Sequence, residues 1–498
     1  MISIFDKHLR FTASSRGSRG SVSYRLVLTI LFLCIFLFGM ASCSSEKSIF
    51  PTIPQNPGNN NPTAESTDIT ETTRDQARVA IRLAAPLSDE TVMYLSQLYT
   101  AKRNNMLGVG ITGQTVSIDF LDTIESDISV ELLTTSSTGV NLSSYMTWSE
   151  SGTIPDIILT DSMSDLIESG YLIPLEDYLA GNTLLSPANV YHDMVTQCYS
   201  MGQQYGIPFS ASVSVIFVNN EILNAAGIVL PYEADMNAVL DASSVVYSLN
   251  EKQDEADTFI IPIYSGIDLM PYLPSVFDSK VGFMAERMGK IDLDSDGIME
   301  SIRFLREFDS SFFVESMTPE DRDAVFGTFD PITSKRVAMW IGQSDEVSRW
   351  ANYMPYTLGI TQIPSLKSGM LTRPALTVFP LCISSQSEYP YESADFAAFV
   401  ALDPDAILLR QRLEKHEGFI PVVKSPEVWN YTFSDAKYCG SFYKYKDIMS
   451  EAYYCPFVSD VDFDEHSQLF LNRYANPIMD DTVDMDELLI QMKADQDE

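Results

Sequence analysis

An α/β protein with largely parallel sheets is predicted from three observations. Short apolar strands alternate with amphipathic helices, polar or glycine-containing loops follow the strand ends, and no short-period repeat interrupts the rhythm. The first element is "ARVAIRLAAPL" from Ala77, an apolar stretch of strand type. In "SDETVMYLSQLYTAKRNN", Ser88 or Asp89 can cap a helix whose Val92, Leu95, Leu98 and Tyr99 recur at helical spacing. "TVSIDFLD" from Thr115 alternates like a strand. In "PDIILTDSMSDLIESGYLIPLEDYL", Asp156–Leu159 reads as a short buried strand with Asp161 and Ser162 at its carboxyl end. A helix over Met163–Ser169 follows, stopped by Gly170.

The same units recur downstream. "QYGIPFSASVSVIFVNNEILNAAGI" reads as a loop, a strand over Val213–Val218 and a helix ending at Gly227, and "FIIPIYSG" as a buried strand with its loop. "IDLDSDGIMESIRFLREFDSSF" reads as a strand, a cap and a helix with Ile298, Ile302, Leu305 and Phe308 on one face. "SKRVAMWIGQSDEV" and "ALTVFPLCIS" are further strand-then-loop units. "YESADFAAFVALDPDAILLRQRLEKHEGFIPVVKSPEVW" is predicted helical on both sides of Pro404.

The ends and composition bound the setting. Leu26–Met40 is an apolar-leaning run, too short to span a bilayer comfortably, preceded by Lys7, Arg10, Arg16, Arg19 and Arg25 and followed by Ala41 and Ser42. This reads as a secretory signal peptide. Met40-Ala41-Ser42-Cys43 resembles a bacterial lipobox, which implies acylation at Cys43; an ordinary signal peptide and a short anchor helix are the alternatives. Residues 44–77, rich in Ser, Thr, Asn and Pro, are expected to form a disordered tether. The roughly 420 residues beyond them suffice for two lobes. The formal charge is −36, and removing residues 1–43, with five bases and one acid, deepens it to −40. Such a field argues against nucleic acid, anionic lipid and strongly anionic ligands. Export permits disulfides, and Cys439 with Cys455 is one possible pair, but spacing does not decide pairing. No CxxC pair is present, and no second transmembrane segment.

The order of these pieces resembles the family 1 extracellular solute-binding proteins, the sugar-capturing lipoproteins of bacterial ABC importers. "PDIILTDSMSDLIESGYLIPLEDYL" is similar to the family's strand, Asp-containing loop and "G-x-L-x-P-L-x-x-Y". "YGIPFSASVSVIFVNNEILNAAGI" resembles its "Y-G-x-P" loop, strand and helix entry, with Phe217-Val218-Asn219 in place of the usual aromatic before Asn. "SKRVAMWIGQSDEV" resembles the "G-K-A-A-M" strand, with Ser334 at the Gly. "LGITQIPSLKSG" with Pro364, "SADFAAFVALDPDA" and "GFIPVVKSPEV" complete the order over nearly all of residues 78–430; the tail after Trp429 shows less resemblance. The resemblance implies a two-lobed, periplasmic-binding-protein-like clamshell with hinge crossings. One lobe is expected from 78–188 and 334–384, the other from 189–333 and 385–498, with the ligand between them.

A neutral sugar presents hydroxyls and an apolar CH face, so a site needs carboxylates or amides beside aromatic rings. Asp161 and Ser162 fit the polar role, with a helix N-cap as the structural alternative. Phe209, Ser210 and Ala211 are candidates for the cleft wall, with Phe209 equally placed for the core. Trp340 ends a strand where the family presents ligand-facing groups, lobe packing being its alternative, and Gln343, Ser344 and Asp345 follow with polar contacts. Tyr264 and Ser265 are further candidates. Arg373 is suited to an acid of the ligand or to a neighbouring carboxylate, and Trp148 to the cleft roof or to packing under a loop. "DLDSDG" at Asp292–Gly297 imitates a calcium loop, yet Arg303 stands at its twelfth position. A strand, a Ser or Asp cap and a helix account for it better, so neither a metal nor a cofactor is expected.

No G-x-S-x-G elbow and no H-E-x-x-H is present, and paired carboxylates discriminate nothing in so acidic a chain, so an exported hydrolase is the weaker reading. The expected protein is a monomeric, membrane-anchored, extracytoplasmic binder of a small solute, a carbohydrate by resemblance, that delivers it to an ABC permease. A clamshell ligand sensor or adhesion protein is the rival.

Overall fold

The computed structural model describes residues 79–135, 139–252, 259–277, 284–285, 290–291, 293, 295–308, 310–414, 419–434, 444–446, 449, 453–454 and 473–496. The leader, the tether, Cys43, Cys439 and Cys455 lie outside them. Three parallel strands begin the main sheet: β1 (Val79–Ala85), β2 (Ile128–Thr134) and β3 (Ile157–Leu159), with β1 between the other two. The helix Asp89–Arg103 returns over them. Ser88 caps it, its hydroxyl accepting from Thr91 N at 3.2 Å, with Asp89 and Glu90 in the first turn and Lys102 and Arg103 in the last to complement the helix dipole. "TVSIDFLD" is not the expected strand: Ile118–Leu121 forms one helical turn that buries Leu121. The alternation there came from the polar and apolar sides of a short turn, which four residues cannot distinguish from a strand.

After the hairpin β4 (Tyr199–Ser200) and β5 (Gln203–Gln204) comes β6 (Gly206–Asn219), buried along all 14 residues. The sequence pattern predicts only its second half. The first half contains Pro208, which lacks a ladder donor, and it is accommodated opposite Pro380 where the register shifts between Phe379 and Pro380. Next come β7 (Ile261–Ile263), the small pair β8 (Met284–Ala285) and β9 (Lys290–Ile291), β10 (Val337–Gln343), β11 (Leu358–Thr361), β12 (Ala375–Ile383) and β13 (Tyr453–Tyr454). The main sheet runs β2-β1-β3-β12-β6-β10-β7, with β11 also on β6 and β13 on β12. It is mixed rather than largely parallel because β12 lies antiparallel to both β3 and β6, and β6 antiparallel to β10 and β11.

β6 and β12 are the strands common to both ends of this sheet. The amino-terminal part of β6 shares a hydrophobic cluster with β1, β3 and the helices Asp89–Arg103, Pro390–Leu402 and Pro404–Glu414. In its carboxyl-terminal half, Ile216 and Val218 join a second cluster with the helices Met236–Ser248 and Asp296–Leu305 and with Ile478 and Leu488. Pro404 does divide two helices: Asp403 ends the first, and its Oδ1 accepts from Asp405 N (3.0 Å) and Ala406 N (3.3 Å) to start the second. That second helix runs antiparallel to Asp89–Arg103. Lys102 meets Asp403 (2.8 Å) and Asp405 (2.6 Å) at one end, and Ser88 meets Glu414 at the other. Trp429 is fully buried beside them, donating to Val423 O at 2.9 Å. Residues 390–414 and 419–432, expected with 189–333, thus pack against β1 and its helix. Among the described residues no helix is long and apolar enough to cross a membrane.

Candidate functional site

Parallel strands carry their loops to one edge, and the topology brings two such edges to β6. At the first, Thr160 follows β3 and its hydroxyl donates to Val140 O at 2.6 Å, stapling the loop after β2 to the loop after β3. The approach requires Gly139: its φ is 93°, and a Cβ there would lie 2.3 Å from Leu159 O. Ser162 N donates to Thr160 Oγ1 (2.9 Å), which fixes the pair Asp161–Ser162. Ser162 occupies the N-cap position of the helix Met163–Glu168 but does not cap it; its hydroxyl donates to Asp161 Oδ1 at 3.0 Å. The structural alternative for this pair therefore accounts for the place of Ser162 and not for its side chain.

The second edge is formed by the ends of β7 and β10, which are parallel. Gln343, the last residue of β10, pairs with Ser214 of β6. Beyond it, Ser344 Oγ lies 3.1 Å from Ser212 Oγ and accepts from Val213 N at 3.2 Å, while Ser212 donates to the Asp345 carboxylate. Burial pushes the Asp345 carboxyl above its ordinary range against the pull of Ser212. Gln343 donates its amide to Tyr272 OH (3.2 Å), leaving its Oε1 and the Ser214 hydroxyl buried without a partner among the described residues. Buried polar atoms without partners cost free energy, and a hydroxyl-bearing molecule can satisfy them. Ser212, Ser214 and Tyr272 were not singled out from sequence, because their partners are more than 70 residues away.

The loop after β7 adds a carboxylate pair. Glu315 accepts from Ser265 Oγ (2.5 Å), Gly266 N (2.9 Å) and Ile267 N (3.3 Å) and so holds the turn in place. Burial, with Glu315 close by, raises the Asp268 carboxyl to about 6. A carboxyl raised in the folded state binds more protons folded than unfolded between its ordinary value and about 6. Stability should therefore fall as pH rises from about 4 to 6, by about 1–3 kcal/mol. Asp268→Asn is expected to remove that component and to raise the melting temperature at pH 7. Urea titrations at pH 4.5 and 7 check this; an unchanged pH dependence in the variant would refute it.

The other sequence candidates fall as follows. Ser210 is buried on β6, and Ala211 is fully buried in a backbone bridge to Ile420. Phe209 is buried with the Arg410 guanidinium 3.7 Å from its ring centroid. Tyr264 is half-buried against the first cluster, its N–H donating to Met339 O at 2.9 Å. Trp340 is 1% exposed, stacked on Phe217 (5.7 Å) and edge-on to Trp350 (5.5 Å), with no ring face open to a ligand. Arg373 is half-buried, and its charge acts on Asp193. Trp148 packs half-buried against a third cluster around Tyr145. Of the calcium-like loop, Asp292 and Asp294 lie outside the described residues. Ser295 caps the helix Asp296–Leu305 by accepting from Gly297 N at 3.1 Å, and Glu300 pairs with Arg303. Among the described residues no group of three potential metal ligands occurs. Cys198 and Cys382 are buried free thiols.

No family profile and no curated protein matches the sequence. Solved structures share the fold. A sugar transporter from Rhizobium etli in an open conformation is 16% identical with a TM-score of 0.59, over 84% of this chain and 99% of that one. An ABC substrate-binding protein from Listeria monocytogenes in complex with cycloalternan is 14% identical (TM-score 0.57, 84% and 98%). A family 1 extracellular solute-binding protein from Alicyclobacillus acidocaldarius is 12% identical (TM-score 0.52, 84% and 97%). The fold is the two-lobed α/β clamshell of extracytoplasmic solute-binding proteins.

Proposed function

We propose that the protein binds an extracytoplasmic solute, a carbohydrate, between two lobes and delivers it to an ABC permease without chemical change. The observation that carries this reading is the polar edge Ser212–Ser214 with Gln343–Asp345. It holds a carboxylate and unpartnered buried oxygens at the strand that joins both halves of a solute-binding fold. Asp161 and Ser162 supply the opposing edge, with Ser210 on β6 between them and Tyr264 as the aromatic neighbour. Trp340 and Phe209 are read as scaffold for these groups, and Arg373 as partner of a protein carboxylate. The packing of the described residues supports one lobe drawn from 79–205 and 376–433 and a second drawn from 215–365 and 473–496, hinged on β6 and β12. This differs from the sequence-based division in placing 385–414 and 419–433 with β1, and in placing 334–365, with β10 and β11, in the second lobe beside β7.

Acylated Cys43 and the 44–77 tether would hold a monomer at the membrane, outside the cytoplasm, within reach of its permease. The ligand favours the closed form by the contacts it adds there. A melting-shift screen against mono- and oligosaccharides tests the reading. Saturating ligand at 100 Kd is expected to add about 2.7 kcal/mol of stability, and stabilisation by oligopeptides alone would overturn the carbohydrate assignment.

A further inference from the structure

The helix Pro404–Glu414 carries a cation that the proposed carbohydrate contacts leave unused. Arg410 lies with its guanidinium 3.7 Å from the Phe209 ring centroid, and its Nη2 reaches Phe209 O only at 3.4 Å. Its Nη1 is buried and has no hydrogen-bond partner among the described residues. The nearby carboxylate, Glu414, is committed elsewhere, accepting from both the N–H and the hydroxyl of Ser88 at 2.7 Å. A buried guanidinium without a bidentate acceptor is an expensive arrangement, and burial draws its pKa down to about 9 against the opposing pull of Glu414.

The height of Arg410 in the lobe follows from register. Leu381 of β12 pairs with Leu159 on one side and Ile207 on the other, and past the shift at Phe379/Pro380 Phe379 faces Ser210. Ser210, next to Phe209, therefore stands level with Asp161, two strand spacings or about 10 Å across the sheet. Ser88, at the carboxyl end of β1, marks the same edge and meets the last turn of the helix that bears Arg410. The pair Asp161–Ser162, proposed above for solute hydroxyls, and the Phe209 that carries the guanidinium, unpartnered at Nη1 among the described residues, thus stand at one end of the lobe. Their backbones are apart by about the span of one or two sugar rings.

We propose that Arg410 holds a carboxylate of the solute, so that the ligand class is an acidic saccharide carrying a uronate group. This rests on the carbohydrate reading above and narrows it. The carboxylate accepts from Nη1, the remaining hydroxyls face the Asp161 and Asp345 edges, and Phe209 keeps the guanidinium plane fixed for a forked contact. A net charge of −36 repels such a solute at long range, and a desolvated arginine is the local group that offsets this at contact.

Titration calorimetry of the full chain with D-galacturonate, D-glucuronate and digalacturonate, against galactose, glucose and a neutral disaccharide, tests it. At least one uronate is expected to bind 10-fold or more tightly than its neutral counterpart. In Arg410→Gln that preference should collapse to about one, and in Arg410→Lys it should persist in part. Neutral sugars binding as tightly as the uronates would overturn the assignment while leaving the carbohydrate reading in place. Binding of neither class by the wild-type protein would overturn both. Should Arg410→Gln fail to fold, the wild-type uronate-to-neutral ratio still decides.

Discussion

Trp340→Ala is expected to lower stability by about 3–5 kcal/mol, the cost of removing a large buried aromatic and leaving its cavity. The ring is 1% exposed between Phe217 and Trp350, where strand β10 meets the carboxyl-terminal half of β6, so the loss falls on the packing that holds β10 to β6. Trp340→Phe separates packing from recognition. Among the described residues the Trp340 Nε1 has no hydrogen-bond partner, so phenylalanine forfeits volume but no bond seen there, and about 1–2 kcal/mol is expected. Ligand affinity in Trp340→Phe should stay within about twofold of wild type. Urea unfolding and calorimetry read the two quantities separately. A loss of affinity with little loss of stability would return Trp340 to the ligand.

Asp345→Ala is expected to weaken solute binding by about 10- to 100-fold, equivalent to the loss of a charge-assisted hydrogen bond of about 1.5–3 kcal/mol. The carboxylate is tied to Ser212 on β6 and sits beside Ser344, so it is presented from the second half of the fold to the strand shared with the first. Asp345→Asn keeps the shape and one acceptor and should recover part of the affinity. Because burial raises this carboxyl, affinity should also decline on acidification sooner than an exposed aspartate would dictate. Equal affinity in the alanine variant, measured by calorimetry at pH 7, would remove Asp345 from the site.

What could be read from sequence was local. Asp156–Leu159, the helix stopped at Gly170, the strand before Gln343 and the break at Pro404 follow from apolar runs and punctuation by Gly and Pro, and all appear in the fold. Strand-end polar residues such as Asp161 and Asp345 were legible for the same reason. The first half of β6 was not, because Pro208 and alternating serines imitate a loop until β12 pairs with them. Trp340 was ambiguous since a tryptophan at a strand end serves stacking on a ligand or on Trp350 equally well. Arg410 carried no local signal. Its significance depends on Phe209, 201 residues earlier, and on Glu414 being occupied by Ser88.

The insertion of β12 between β3 and β6 sets a schedule for synthesis. The first three strands cannot be completed into a sheet until a segment more than 200 residues farther along has emerged and slid into the gap. Loop closure over such a distance is slow relative to hairpin formation. A nascent chain of this design keeps its sheet open until about three quarters of it exists, so the first three strands must wait, unpaired on the β12 side, for a distant partner.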